Sequence, residues 1–279
     1  MRGATTVFLW LVTTALLLVA LPAMWAQHNL IDRSGYAALA QRAAADPGLQ
    51  SAMAAELTAQ VGRLGAAADS TVVGAVARAY TASPAFPRQF GQANGYAHRW
   101  LFTDTVVAGV DEQGRWVIDL APMLADAAFA PTLRQFDISL PSSVPIPLTD
   151  NAPAMLRPGA LREVGFWGPW LAWGLAALTA ASAVLTLFVA RRRGRTLTAL
   201  GISALLAGAL GWAGIELSNG RIGAALDNTS GGIRTVADAM VSTAQESLHQ
   251  WLNLTLVVGG GLVIVGVLVS LLEGLARRD

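Results

Sequence analysis

A cluster of four arginines in the segment 191–195 (Arg-Arg-Arg-Gly-Arg) constrains the fold of this chain more than any other sequence feature. The stretches on either side of it, 166–190 and 196–215, contain no charged residue. A transmembrane α-helix needs about 20 consecutive apolar residues, and both stretches reach that length. The sequence therefore predicts a helical hairpin in a membrane, with its short connection at the arginines.

Composition places the chain among integral membrane proteins. Of its 279 residues, 54% are hydrophobic and only 13% are charged, against roughly 25% charged residues in soluble proteins. Cysteine is absent, which excludes disulfides and thiolate chemistry, and every cationic side chain apart from histidine is arginine. The net charge of +1 gives no electrostatic basis for binding nucleic acid. No nucleic-acid partner is therefore expected.

Four transmembrane helices are predicted, at residues 1–26, 166–190, 196–216 and 251–273. The first is interpreted as an uncleaved signal anchor with Trp25 in the outer interface, because its apolar run exceeds the roughly 7–15 residues of a signal-peptide core. A cleaved secretory signal peptide is the alternative. Against it, the segment 21–26 (Leu-Pro-Ala-Met-Trp-Ala) lacks a clear small-x-small cleavage pattern.

The arginines near the ends of the spans predict the orientation, since basic residues resist translocation. With four spans, three groups of arginines fall on one side, the cytoplasm: Arg2; Arg191, Arg192, Arg193 and Arg195; and Arg277 and Arg278. Both termini, the turn at 191–195 and the tail at 274–279 are thus expected to be cytoplasmic. Residues 27–165 and 217–250 are expected on the extracytoplasmic side of the cell membrane.

The first half of residues 27–165 has the periodicity of helices, and the whole segment is long enough for a small domain. Apolar residues recur at helical spacing from Leu39 to Leu64, with Asp46-Pro47 as a helix start. A further helix is predicted over 85–107. Its buried stripe would consist of Phe86, Phe90, Ala93, Ala97, Trp100 and Leu101.

The second half of this segment predicts a small β element. Residues 116–120 (Trp-Val-Ile-Asp-Leu) have the composition of a strand, and 136–140 (Phe-Asp-Ile-Ser-Leu) alternate as a half-buried strand does. Three prolines within 141–147 favour an extended linker. The predicted fold class is mainly α, with four transmembrane helices and a mostly helical α+β extracytoplasmic domain.

The segment 217–250 predicts a helix that continues into the fourth span. Apolar residues share one face of it: Ile233, Val236, Met240, Ala244, Leu248 and Trp251. We expect this face to pack on the extracytoplasmic domain.

The layout of the chain resembles a loose group of actinobacterial multi-pass integral membrane proteins of unknown function. The similarity lies in the exit from the first span at 32–36 (Asp-Arg-Ser-Gly-Tyr), the stretch 116–122 and the arginine turn at 191–195. The resemblance covers the whole chain in layout. It implies a signal anchor, a helical outer domain with a small β element and further membrane helices, and it supplies no catalytic residues.

The central parts of the spans contain no ionisable residue, which disfavours a proton-coupled transporter or pump. The sequence has neither a P-loop nor a Gly-x-Ser-x-Gly motif. Four residues are expected near the outer membrane surface, where they could form a metal or acid/base cluster: His28, Asp32, Glu216 and His249. The alternative is four solvated interface residues, so neither a metal, a cofactor nor catalytic residues are assigned.

Small residues recur at four-residue spacing in the spans and predict close helix packing. On the third span these are Ser203, Ala207 and Gly211, and on the fourth they are Gly266 and Ser270; Ala172, Ala176 and Ala180 do the same on the second. Packing within the chain's own bundle is one interpretation, and an interface with a partner subunit is the other.

The leading functional hypothesis is a non-catalytic envelope protein whose outer domain scaffolds or binds another membrane or envelope protein. The first alternative is an accessory subunit of an envelope transport system that binds lipid or another apolar ligand in the groove between outer domain and membrane. The second is an enzyme or metal site at the outer surface. An apolar cavity of several hundred Å³ that opens to the outer leaflet would favour the ligand hypothesis, and a dry, filled outer domain with an exposed apolar patch would favour the scaffold.

Overall fold

The computed structural model describes residues 2–63, 70–103, 108–110, 116–119, 145–147, 159–190, 192–226 and 232–275. These residues are mostly helical, and a π-helical turn at Gln27–Ile31 joins the first two helices. The helices are α1 (Arg2–Ala26), α2 (Arg33–Ala43), α3 (Pro47–Arg63), α4 (Ser70–Thr81), α5 (Phe86–Phe102), α6 (Arg162–Val189), α7 (Arg193–Leu226) and α8 (Gly232–Leu275). The strands are β1 (Ala108–Val110), β2 (Trp116–Asp119) and β3 (Pro145–Pro147).

The chain forms two compact units. The bundle unit consists of Met1–Gln27, Pro169–Ala225 and Ala244–Asp279. The second unit consists of His28–Gly168 and Leu226–Thr243.

Four helices are long and apolar enough to cross a membrane. They occupy Ala4–Ile31, Arg162–Val189, Arg193–Arg221 and Gly232–Leu275. Many of their large apolar side chains are exposed, among them Phe188, Val257 and Leu272. Such surfaces are stable in lipid and unfavourable in water. These helices support the multi-pass membrane protein that the sequence predicts.

The third long helix extends beyond the predicted span of 196–216 at both ends. It begins at Arg193, inside the predicted turn at 191–195, and passes Glu216 to end at Leu226. Arg193 and Arg195 are exposed, so their charges remain solvated although they lie in the first helical turn. Helix α8 runs without a break through 232–275, which agrees with the continuous helix expected from the sequence.

The core of the second unit is helical. Ala43, Ala44, Leu49 and Phe86 are buried together. Val236, Ala239 and Met240 of α8 pack against this cluster. The described part of the predicted apolar stripe, from Leu39 to Val61, is divided between α2 and α3. Asp46 starts α3 by accepting a hydrogen bond of 2.9 Å from the backbone N–H of Leu49.

Helix α5 buries most of the predicted stripe and some polar residues beside it. Phe86 and Trp100 are buried as expected, but Ala97 is exposed. Gln89 and His98, which were not in the predicted stripe, are buried. The hydroxyl of Tyr80 donates a 2.7 Å hydrogen bond to Oε1 of Gln89. A paired amide can be buried at little cost, and this pairing shifts the buried face toward polar residues.

The three strands form an antiparallel sheet in the order β1-β2-β3, and Ile118 is opposite Ala108 on one side and Ile146 on the other. The strands contain three, four and three residues. Two of the residues of β3 are prolines, which lack the N–H that a ladder needs. The predicted α+β domain is therefore not supported, because helices dominate the described residues. The predicted strand at 136–140 lies outside them.

Candidate functional site

Helices α7 and α8 are in backbone contact along a glycine seam, which consists of Gly194, Gly201 and Gly208 of α7 and Gly259 and Gly266 of α8. A methyl group added at Gly201 would lie 2.7 Å from the carbonyl oxygen of Gly259. One added at Gly259 would lie 3.0 Å from that of Gly201. Glycine spacing of seven residues keeps these positions on one face of each helix, as in left-handed helix pairs.

The predicted packing residues are distributed over two interfaces of the bundle unit. Gly211 faces Leu252 of α8, and Gly266 faces the backbone of Thr198. Ser270 donates a 2.9 Å hydrogen bond to the carbonyl oxygen of Gly266 in its own helix. The other two predicted residues, Ser203 and Ala207, are buried.

Helix α1 is attached to α6 and α7 by paired hydroxyls. The Oγ1 of Thr13 and the Oγ of Ser182 are 2.7 Å apart, as are the Oγ1 of Thr14 and the Oγ of Ser203. The indole N–H of Trp10 also donates a 2.9 Å hydrogen bond to the carbonyl oxygen of Ala199. Interhelical hydrogen bonds of this kind contribute about 0.6 kcal/mol each in membranes.

A cavity of about 530 Å³ lies between the four long helices of the bundle unit. Helix α1 lines it over 13–24, α6 over 176–183, α7 over 200–204 and α8 over 251–262. The lining residues that the structure describes include no charged side chain, and most are Ala, Leu, Val or Thr. The volume is within the roughly 300–1,000 Å³ of small-molecule sites. An uncharged cavity of this size can hold an apolar ligand.

Two of the four residues of the predicted outer cluster, His28 and Asp32, interact electrostatically. Asp32 caps α2 by accepting hydrogen bonds from Ser34 and from the backbone N–H of Gly35, which lower the pKa of its carboxyl. His28 is exposed. In the bundle unit, Glu216 accepts a 3.3 Å hydrogen bond from Asn219.

The fourth of these residues, His249, stacks on Trp212 with ring centroids 3.8 Å apart. Within the described parts of the chain, no three His, Asp or Glu residues form a group that could hold a metal ion. The metal interpretation of the outer cluster therefore has no support.

The predicted topology determinants are only partly described. Arg192, Arg193 and Arg195 are exposed, as charged residues at the end of a span should be. Arg191, Arg277 and Arg278 lie outside the described residues.

His98 is the one histidine buried in the part of the second unit that the structure describes. Its Nε2 is 3.0 Å from the carbonyl oxygen of Leu30, within the π-helical turn. Its ring stacks on Phe102 at 4.1 Å between centroids and lies 5.3 Å from Tyr36. Burial lowers the pKa of His98 below its ordinary value of 6.5, because the charged ring would lose water.

The lowered pKa of His98 predicts a loss of stability in acid. The unfolded chain takes up a proton near pH 6.5 and the folded chain only at lower pH, so stability is complete above pH 6.5 and falls below it. The negative charge of Asp32 raises the pKa of His98 and the positive charge of Arg33 lowers it, so Asp32 opposes and Arg33 reinforces the effect of burial. The melting temperature of the detergent-solubilised protein should fall between about pH 7.5 and about pH 5.5. His98→Gln should reduce that fall in melting temperature. An equal fall in the variant would contradict the assignment of the pH dependence to His98. His28→Gln, at an exposed residue, is the control.

The chain matches no protein-family model, no curated protein and no solved structure.

Proposed function

We propose that the protein is a multi-pass plasma-membrane protein that holds an apolar ligand, a lipid or a lipid-like molecule, among its four transmembrane helices. It acts without catalysis, as an accessory subunit of an envelope transport system. The observation that carries this proposal is the cavity of about 530 Å³ within the bundle unit. Among the sequence-based hypotheses, an apolar cavity of this size favours ligand binding.

The orientation in this proposal comes from the arginines. Both termini and the 191–195 connection lie in the cytoplasm, and the second unit is extracytoplasmic. Trp25, Trp170, Trp173 and Trp251 all lie at the span ends opposite the arginines, where their rings suit a membrane interface. The proposal also includes the assignment of the chain, by its layout, to a group of actinobacterial multi-pass membrane proteins.

Enlarging a lining side chain should displace the ligand. Ala180 of α6 lines the cavity, and Ala180→Phe would place a ring in it. We expect the purified variant to retain roughly tenfold less co-extracted lipid than the wild type, which corresponds to about 1.4 kcal/mol of lost affinity. Mass spectrometry of the organic extract measures the retained lipid.

The neighbouring residue provides a matched control. Ala181 is also exposed on α6 but does not line the cavity, so Ala181→Phe should retain lipid as the wild type does. Equal retention in all three proteins would contradict ligand binding in the cavity.

A scaffolding role for the second unit is the other candidate. Its core is filled by Leu49 and Phe86 with their neighbours, and two valines one turn apart on α4, Val72 and Val76, are 60% and 44% exposed. Exposed aliphatic residues on a helix offer a small contact for a partner protein. Loss of a co-purifying membrane protein in Val72→Ser/Val76→Ser, with lipid retention unchanged, would favour this role.

A further inference from the structure

The cavity of the bundle unit is closed on one side and exposed on the other. Its back wall contains Thr13 of α1 and Ser203 of α7, which are 3% and 1% exposed. Its front edge contains Leu254 and Val258 of α8, which are 65% and 52% exposed, and Ala180 of α6, also exposed. The cavity therefore opens sideways between α6 and α8, in the direction in which a membrane-spanning bundle meets lipid.

The cavity extends over about half the thickness of the hydrocarbon core of a bilayer. It is lined from Thr13 to Met24 on α1 and from Trp251 to Leu262 on α8, a distance of eleven residue steps on each helix. At 1.5 Å per residue this is about 16 Å, compared with about 30 Å for the hydrocarbon core. The indole of Trp25 donates a 3.3 Å hydrogen bond to Ser247, so the Met24 and Trp251 ends of the two helices coincide.

The shape of the cavity suits a long, thin occupant. Its volume of about 530 Å³ is spread along about 16 Å of α1 and α8, so the space is elongated. A hydrocarbon chain, whose carbons contact their neighbours at about 3.5–4.0 Å, matches a space of this shape.

The hydroxyl groups in the lining do not need hydrogen bonds from a ligand. The hydroxyls of Thr13, Thr179, Ser203 and Thr255 each lie within hydrogen-bond distance of a carbonyl oxygen of their own helix. With those bonds made, an apolar chain leaves no buried donor unpaired. The lining thus suits the tail of a lipid and offers no charged group for its headgroup.

We propose that the cavity takes one acyl chain of a phospholipid from the leaflet on the Met24 and Trp251 side. The chain enters sideways between α6 and α8, with its carbonyl end near Trp251 and its terminal methyl near Thr13 and Leu262. This inference rests on the proposed function and adds to it the ligand class, its orientation and its route.

Two photoactivatable phospholipids test the proposal, one with a diazirine beside the acyl carbonyl and one with it beside the terminal methyl. Each is added to the full-length protein in phosphatidylcholine vesicles, and the crosslinked residues are mapped by mass spectrometry. The carbonyl-side probe should react around Met24 and Trp251, and the methyl-side probe around Thr13 and Leu262. Leu262→Trp should reduce methyl-side crosslinking roughly tenfold.

The control is Leu268→Trp, a 54% exposed residue of α8 that does not line the cavity, and it should crosslink as the wild type does. Circular dichroism melting checks that both variants are folded. Crosslinking of the lining no stronger than that of the exposed Leu171 would overturn both ligand binding and this inference. Strong crosslinking of the lining with the two probes in reversed or identical positions would overturn only the acyl-chain orientation.

Discussion

Gly201→Ala is expected to lower the stability of the bundle by about 1–3 kcal/mol, the usual cost of overpacking a tight interface. The added methyl would lie 2.7 Å from both the carbonyl oxygen of Gly259 and the backbone nitrogen of Val263. Backbone atoms cannot rotate away as a side chain can, so α7 and α8 would have to separate. The fall in melting temperature in detergent measures the effect.

Gly214→Ala is the matched control for this substitution. Gly214 is on the same helix, and apart from its chain neighbours and the backbone of its own helix nothing described lies within 4 Å of an added methyl group there. Alanine is favoured over glycine in helices by roughly 0.5–1 kcal/mol, so this variant should be as stable as the wild type or more stable. Equal melting temperatures for the two variants would show that α7 and α8 are not in backbone contact at Gly201.

Ala207→Glu should prevent assembly of most of the protein. Ala207 is only 2% exposed and lies near the middle of the third span. A carboxylate at the centre of a membrane helix costs about 2.5–3.5 kcal/mol on insertion scales, and the added volume disturbs the packing further. The amount of folded protein in membranes, measured by immunoblotting and gel filtration, should fall several-fold.

Two companion variants separate charge from size. Ala207→Gln adds nearly the same volume without the charge and should be impaired less. Ala224→Glu adds the charge at an exposed residue of the same helix, beyond Arg221, and should be abundant. Normal abundance of Ala207→Glu would contradict the placement of this residue in the interior of a membrane bundle.

The four spans could be predicted from the sequence because the absence of charge is a local property. The stretches 166–190 and 196–215 need no knowledge of their neighbours to be recognised as membrane helices. The helical start at Asp46 was equally local, since a carboxylate followed by proline acts on its own backbone. The continuation of α7 from Glu216 to Leu226 could not be predicted in this way, because a single exposed charge does not end a helix.

The helix contacts could be predicted only in part. The sequence indicated four-residue spacing through Ser203, Ala207 and Gly211 but not the contact of each residue, and in the structure Ser203 meets Thr14 of α1. The glycine seam of α7 and α8 follows a seven-residue spacing, visible in the sequence as Gly194, Gly201 and Gly208 and as Gly259 and Gly266. Which small-residue face meets which neighbour depends on the arrangement of all four helices.

The cavity and the buried polar residues could not be derived from local sequence. The ligand site was expected in the groove between outer domain and membrane, whereas the cavity lies within the bundle unit. Its walls come from residues almost 250 positions apart in the chain, Thr13 and Leu262. Similarly, His98 is buried because it meets the carbonyl oxygen of Leu30, 68 residues away.

The orientation of the chain is tested most directly by labelling single cysteines, because the natural sequence contains none. Ser51→Cys places a thiol at an exposed residue of α3 in the second unit, and Leu275→Cys places one at the exposed last residue of α8. In intact cells, a membrane-impermeant maleimide should label Ser51→Cys and should reach Leu275→Cys only after permeabilisation. Labelling of Leu275→Cys in intact cells, with Ser51→Cys protected, would contradict the cytoplasmic placement of the arginines and invert the proposed topology.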